Sequence, residues 1–247
     1  MNPLTRFGCV GLLVLAICGL AALPAAAGTG RHAKHPAVAT SHAPTQVVAP
    51  LTDAQAAALV RHAPETRPDN AADNQRVPSS AQIAYFRAHD DSMPASYLER
   101  IDGNYTGSTD QIIQWAAYKW GLDPELLRAV ASVESWWHMF TVGDEGNAYG
   151  LFQVDARYHC CEDLATEDTA FNADYYGAII RSYYDGTQTW LNTVTGNGKP
   201  YRRGDLWNSV GYWAAGRWDI ATGQEYVDKV KADLTAQVWR QPNFVGQ

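Results

Sequence analysis

Asp123-Pro124-Glu125-Leu126-Leu127-Arg128-Ala129-Val130-Ala131-Ser132-Val133-Glu134-Ser135-Trp136-Trp137 is the first half of the stretch whose reading decides the fold. After a short loop comes the second half, Gly143-Asp144-Glu145-Gly146-Asn147-Ala148-Tyr149-Gly150-Leu151-Phe152-Gln153-Val154-Asp155. The first half starts as a helix. Asp123 is a good N-cap, Pro124 suits the first helical position, and Glu125 favours the positive end of the dipole. Leu126, Leu127, Val130, Ala131 and Val133 recur at helical spacing, so one face is buried. Glu134 follows Val130 by four residues and Leu127 by seven. That puts a carboxyl group on the apolar face, where an unpaired charge is costly.

Two effects raise the pKa expected of Glu134. Desolvation by the apolar face and by Trp136 and Trp137 favours the neutral acid. The helix C-terminus, with its unpaired carbonyls, repels negative charge. A carboxyl kept protonated near neutral pH is what a general acid needs. The plainer reading is a structural glutamate, paired with an arginine or turned to solvent. The second half adds to the chemistry. Gly143, Gly146 and Gly150 permit tight turns. Leu151 to Asp155 reads as a short extended segment, with Leu151, Gln153 and Asp155 on one side and Phe152 and Val154 on the other. Gln153 and Asp155 are thus expected to face one cleft, with Asp144 as a further carboxylate on the loop. One raised carboxylic acid with one or two ionised carboxylates is the set that glycosidic cleavage requires.

Glu134-Ser135 followed by Gly150-Leu151-Phe152-Gln153 resembles the signature of the lysozyme-like superfamily that includes the soluble lytic transglycosylases. The run from Gly143 to His159 resembles goose-type lysozyme more closely still. The resemblance covers roughly residues 111–239 and implies an acid at Glu134, with Asp144 and Asp155 as supporting carboxylates that position a water. It also implies substrate contacts from Gln153 and Tyr149, and from Trp213 and Tyr226, with a plain core role the equal alternative for Tyr226 and the changed element at 213–216 weakening the role at Trp213. Four positions depart from the family pattern. Asn147-Ala148 stands where many members have Gly-Ala, Phe152 replaces a methionine, and the later Tyr-Asn-Ala-Gly element is Trp213-Ala214-Ala215-Gly216. The loop from Glu134 to Asp144 is shorter than in goose-type enzymes.

Outside this block the chain divides by composition. Residues 1–27 read as an export signal: Arg6 is the one charged side chain, an apolar run follows, and Ala25-Ala26-Ala27 offers a small-residue cleavage site. An uncleaved anchor is the alternative, and Ile17 before Cys18 speaks against a lipoprotein. Residues 28–80 hold half of the prolines, four histidines (His32, His35, His42, His62) and no tryptophan. They read as a core-poor linker, with a short helix over Leu51–Val60. All nine tryptophans lie between Trp115 and Trp239, which places the folded domain at residues 81–247. Asp102 to Asp110 resembles the start of an EF-hand loop, but Ile113 stands where a bidentate glutamate is needed. A turn before a Ser108/Gln111 capping box is the reading preferred. A core helix follows over 110–120. Further helices are expected over 172–184, 206–215 and 223–239. Cys160 and Cys161 form a vicinal bridge or a passive thiol pair rather than a metal site.

The formal charge is −7; without Arg6 it is 18 basic against 26 acidic side chains, or −8. Such a chain gains no long-range attraction to anionic polymers, and no basic patch suggests nucleic acid. The overall expectation is a predominantly α-helical α+β domain, lysozyme-like with a small β element, exported and monomeric, with no metal or cofactor and no membrane span after signal cleavage. The resemblance implies peptidoglycan glycan strands as partner and the β-1,4 bond between N-acetylmuramic acid and N-acetylglucosamine as target. Hydrolysis and anhydro-forming transglycosylation both stay open. A wall-binding protein without turnover is the alternative from another class.

Overall fold

Helix α7 (Thr169–Tyr184) is buried at all but two of its sixteen positions, and the other elements are laid around it. The structure, a computed structural model, describes residues 46–244. The export signal and the first part of the linker, with His32, His35 and His42, lie outside the described residues. Among those described are nine α-helices and one three-stranded sheet, so the domain is mostly helical with a small β element. No helix among them is long and apolar enough to cross a membrane.

The helix starts follow local chemistry. Ser108 and Gln111 form the expected capping box on α4 (Thr109–Trp120), and Gly121 closes it in the left-handed region. Asp123 caps α5 (Pro124–Ser135) by accepting from the Glu125 N–H at 2.9 Å. Asp168 caps α7 by accepting from the Phe171 N–H at 2.7 Å, and the helix starts at Thr169, three residues ahead of the expected 172. Helix α8 (Leu206–Ala215) ends at left-handed Gly216, and α9 (Ala221–Ala236) ends before a 3-10 turn over Val238–Arg240. Gly177 lets α7 close onto α4, because a Cβ there would overlap the Trp120 indole. The EF-hand-like loop is architectural. Asp102 Oδ1 accepts from Lys119 Nζ at 3.1 Å, and the Asp102 and Gly103 N–H groups donate to Asp174 Oδ2 on α7. Cys160 and Cys161 are joined in a vicinal disulfide.

Residues 46–80 do not behave as a linker. Helix α1 (Asp53–Leu59) starts in a Thr52/Gln55 capping box and packs against α4. Beyond it, Glu65, Arg67, Asn70 and Asn74 make side-chain hydrogen bonds into the domain. Arg67, Asn70 and Asn74 are almost wholly buried. Composition suggested disorder because the segment is proline-rich and poor in core residues. These polar side chains are buried as hydrogen-bonded groups, which satisfies burial without an apolar pattern. The folded unit therefore begins before residue 81. Helices α2 (Ser80–His89) and α3 (Ala95–Leu98) follow this segment and contribute Ile83, Phe86 and Leu98 to the core.

Candidate active site

Glu134 sits in the last turn of α5, and three features of the sequence hold that turn. Ser135, the next residue, donates its hydroxyl to the Leu151 carbonyl at 2.8 Å, tying α5 to the Gly150–Gln153 turn. Trp136 and Trp137 then both take left-handed backbone angles, φ 54 and 67. The chain reverses there into a small sheet of β1 (Val142–Gly143), β2 (Ala148–Tyr149) and β3 (Val154–Asp155), antiparallel in sequence order. Asn172 of α7 fixes the turn before β3. Its Oδ1 accepts from the Phe152 N–H at 2.8 Å, and its Nδ2 donates to the Tyr149 and Ala165 carbonyls at 3.0 and 2.8 Å. Gly150 permits this approach: its φ is +75, and a Cβ there would clash with Asn172 Nδ2 at 2.5 Å.

The Glu134 carboxyl is part-buried, and its pKa is raised from 4.5 to about 7. Burial is the cause; a hydrogen bond donated by the Tyr226 hydroxyl of α9 partly offsets it, because that bond favours the carboxylate. Tyr226 was expected as a substrate contact, yet its hydroxyl is spent on the acid. Tyr176 of α7 stands by the same carboxyl, near enough for the Glu134 charge to help push its own phenol well above the ordinary value, burial being the larger cause. Tyr176 stacks on Phe152, ring centres 4.4 Å apart, and meets Trp213 edge-on at 5.2 Å. Tyr176 is fully buried, so it is both a core residue and a neighbour of the acid.

The remaining expected residues are brought to the sheet and its turn, but their polar groups are engaged within the chain. Gln153 donates its amide to the Thr141 and Gly150 carbonyls at 3.0 and 2.9 Å. It also adopts φ 52, so the segment from Leu151 is a turn and not a continuous strand. That breaks the expected alternation, and Leu151 and Phe152 are both fully buried. The Tyr149 hydroxyl donates to the Gly146 carbonyl at 2.5 Å. Trp213 donates its indole N–H to the Phe152 carbonyl at 3.1 Å and stacks on His159.

Asp144 and Asp155 share one partner that sequence reading passed over. The Arg157 guanidinium meets Asp155 Oδ2 at 2.6 Å and Oδ1 at 3.0 Å, and it also pairs with Asp144. Asp155 lies somewhat above the ordinary carboxylate value because it is partly buried, an effect opposed by the Arg157 backbone N–H. Arg157 lies two residues after Asp155, but its second partner, Asp144, is thirteen residues away and reaches it only through the folded hairpin. No group of three or more His, Cys, Asp or Glu side chains poised for a metal ion occurs among the described residues. Comparison with family models, with curated proteins and with solved structures gave no match to this chain.

Proposed function

We propose that this chain is an exported peptidoglycan-cleaving glycosidase, acting on the β-1,4 bond between N-acetylmuramic acid and N-acetylglucosamine, with Glu134 as general acid. The observation that carries the reading is the state of Glu134: a carboxyl raised to about 7 by burial, hydrogen-bonded by Tyr226, at the end of a helix bonded to the Gly150–Gln153 turn. An acid with a pKa near the working pH combines a useful protonated fraction with a real tendency to give up its proton.

In the proposed reaction the Glu134 proton passes to the leaving O4 as the bond from C1 breaks. Charge builds at C1, and the geometry favours how it is discharged. A hydrolase needs a free carboxylate to activate water. Both candidates, Asp144 and Asp155, have their oxygens engaged by the Arg157 guanidinium, so neither is free to hold a water. That supports the route without water. The sugar's own 6-hydroxyl oxygen bonds to C1, its proton returns to Glu134, and a 1,6-anhydro end forms. Tyr226 donates to the carboxylate during the interval in which it is ionised.

The test is mass spectrometry of muropeptides released from purified peptidoglycan by the exported chain. Products ending in 1,6-anhydro-N-acetylmuramic acid are expected. Reducing ends, heavier by one water, would replace the anhydro route with hydrolysis. No release, where a control enzyme works on the same material, would reject the glycosidase reading and leave wall binding without turnover.

A further inference from the structure

We propose that Arg67 and Asn70, in the segment that precedes α2, are positioning residues for Glu134: they hold the left-handed turn that fixes the end of α5. The inference rests on the glycosidase reading for its catalytic meaning, though not for its geometry.

Residues 136–139 follow Glu134-Ser135 directly, and residues 67–70 grip them one after another. Arg67 Nε donates to the Trp136 carbonyl at 2.9 Å. Asn70 Nδ2 donates to the Trp137 carbonyl at 2.7 Å, and Asn70 Oδ1 accepts from the Met139 N–H at 2.8 Å. Asp69 meets His138 Nδ1 at 2.7 Å. Asn70 is fully buried and Arg67 is 1% exposed, its guanidinium lying 4.1 Å above the Phe244 ring. The grip is itself anchored. Glu65 accepts from the Thr109 N–H at 2.8 Å and from Asn74 at 2.7 Å.

Such a grip has a reason to exist. Two successive non-glycine residues in the left-handed region are strained and persist only where their surroundings over-determine them. The carbonyls of Trp136 and Trp137 point away from the helix ladder and would be orphaned without Arg67 and Asn70. From Met139 the linkage continues to the second half of the site, since the Met139 sulfur accepts from the Leu151 N–H at 3.3 Å and the Leu151 carbonyl accepts from Ser135. Asn70 therefore ties both halves together from outside. If the turn relaxes, the end of α5 moves and water reaches the Glu134 carboxyl.

The experiment uses the full exported chain carrying Asn70→Ala, Asn70→Asp or Arg67→Lys. Asn70→Asp keeps the acceptor for Met139 and loses the donor to Trp137. Arg67→Lys keeps the charge over Phe244 and loses the Nε donor. In variants that melt well above the assay temperature, kcat is expected to fall about tenfold to 100-fold with KM nearly unchanged, as for a displaced catalytic group. The alkaline limb of the pH profile should move to lower pH, because a hydrated Glu134 ionises more easily. Other ionisable groups that act on Glu134 are Tyr226 on α9 and Tyr176 on α7, neither altered by these changes; on the grip itself the titratable pair is Asp69 with His138. A carbon-13 titration of the Glu134 carboxyl reads the same shift without turnover.

Folded variants with wild-type kcat and an unmoved Glu134 titration would overturn the proposal. So would failure of all three variants to fold, which would make the segment purely architectural. A wild type that releases no muropeptides would instead sink the glycosidase reading, while the carbon-13 titration would still decide whether Arg67 and Asn70 govern Glu134.

Discussion

Glu134 holds its proton at a pH where an exposed glutamate has lost it, and that has two measurable consequences. The first follows from the proposed glycosidase reading. Glu134→Gln should lower kcat by about 100-fold to 10,000-fold, the span over which a positioned acid contributes, while wall binding stays. Muropeptide release within a few-fold of wild type would remove Glu134 as the acid. The second is a matter of linkage. Between 4.5 and about 7 the unfolded chain has released a proton that the folded chain still holds, so stability falls as pH rises through that window. Glutamine has no such dependence. The stability of Glu134→Gln relative to wild type should therefore rise by about 2–3 kcal/mol between pH 4 and pH 8, less than the full shift at 1.36 kcal/mol per unit because the group is only part-buried. Urea melts at both pH values check this, and a constant difference would mean that Glu134 is not desolvated. Tyr226 acts in the opposite sense. Its hydrogen bond lowers the Glu134 pKa, so Tyr226→Phe should move the alkaline limb of the pH profile upward while kcat falls. A limb that moves downward would show that water replaces the phenol.

At the scale of elements, the site depends on α7 lying tight against α4 and on Asn172 reaching the turn before β3. Gly177 makes the first possible. Gly177→Ala drives a methyl into the Trp120 indole, whose N–H is already committed to Asp174 Oδ1 at 2.7 Å and is poorly free to move. A loss of roughly 1–3 kcal/mol is expected from overpacking, against the gain of a few tenths to 1 kcal/mol that alanine usually brings to a helix. Thermal unfolding decides the sign, and a stabilised variant would mean the α4–α7 contact is loose. The helices here were legible in the sequence because their caps and apolar spacing are local: the Asp123 cap and the Ser108/Gln111 capping box sit where they were read. The sheet region was not. Its course depends on Gln153 entering the left-handed region, held there by hydrogen bonds to Thr141 and Gly150. No two-residue period anticipates that. Within the site, Glu134 was legible from its place on an apolar face. Arg157 was not legible, because its partners Asp144 and Asp155 converge on it only once the hairpin has formed. The segment from Glu65 to Asn74 was the least legible, since its burial rests on side-chain hydrogen bonds to residues far along the chain.

At the scale of the whole molecule, the N-terminal segment is joined to the helical core by one buried cation as well as by the grip on residues 136–139. Lys119 of α4 is almost completely buried and meets Asp53 of α1 at 2.6 Å, Asp174 of α7 at 2.8 Å and Asp102 at 3.1 Å. Three separate parts of the chain thus converge on a single ammonium group. Burial would ordinarily strip such a lysine of its proton. Here the surrounding carboxylates, Asp174 foremost, win and hold its pKa above the usual value. Asp174 is fully buried in turn, and burial raises its pKa although Lys119 and its hydrogen bond oppose that shift. A buried pair of this kind contributes little against an apolar replacement of both partners, but it is expensive to break singly. Lys119→Met should therefore cost about 3–5 kcal/mol, because it leaves Asp174 buried without its cation among the Trp120, Asp102 and Gly103 donors. Equilibrium urea unfolding at pH 7 measures this directly. A loss below about 1 kcal/mol, the value of an exposed ion pair, would mean that water enters the cluster freely. The same variant carries a spatial prediction. With Asp53 no longer held, α1 should exchange its amide protons faster than α5 and α9, which Lys119 does not bridge. Uniform acceleration across all helices would instead show that the N-terminal segment and the core unfold as one cooperative unit.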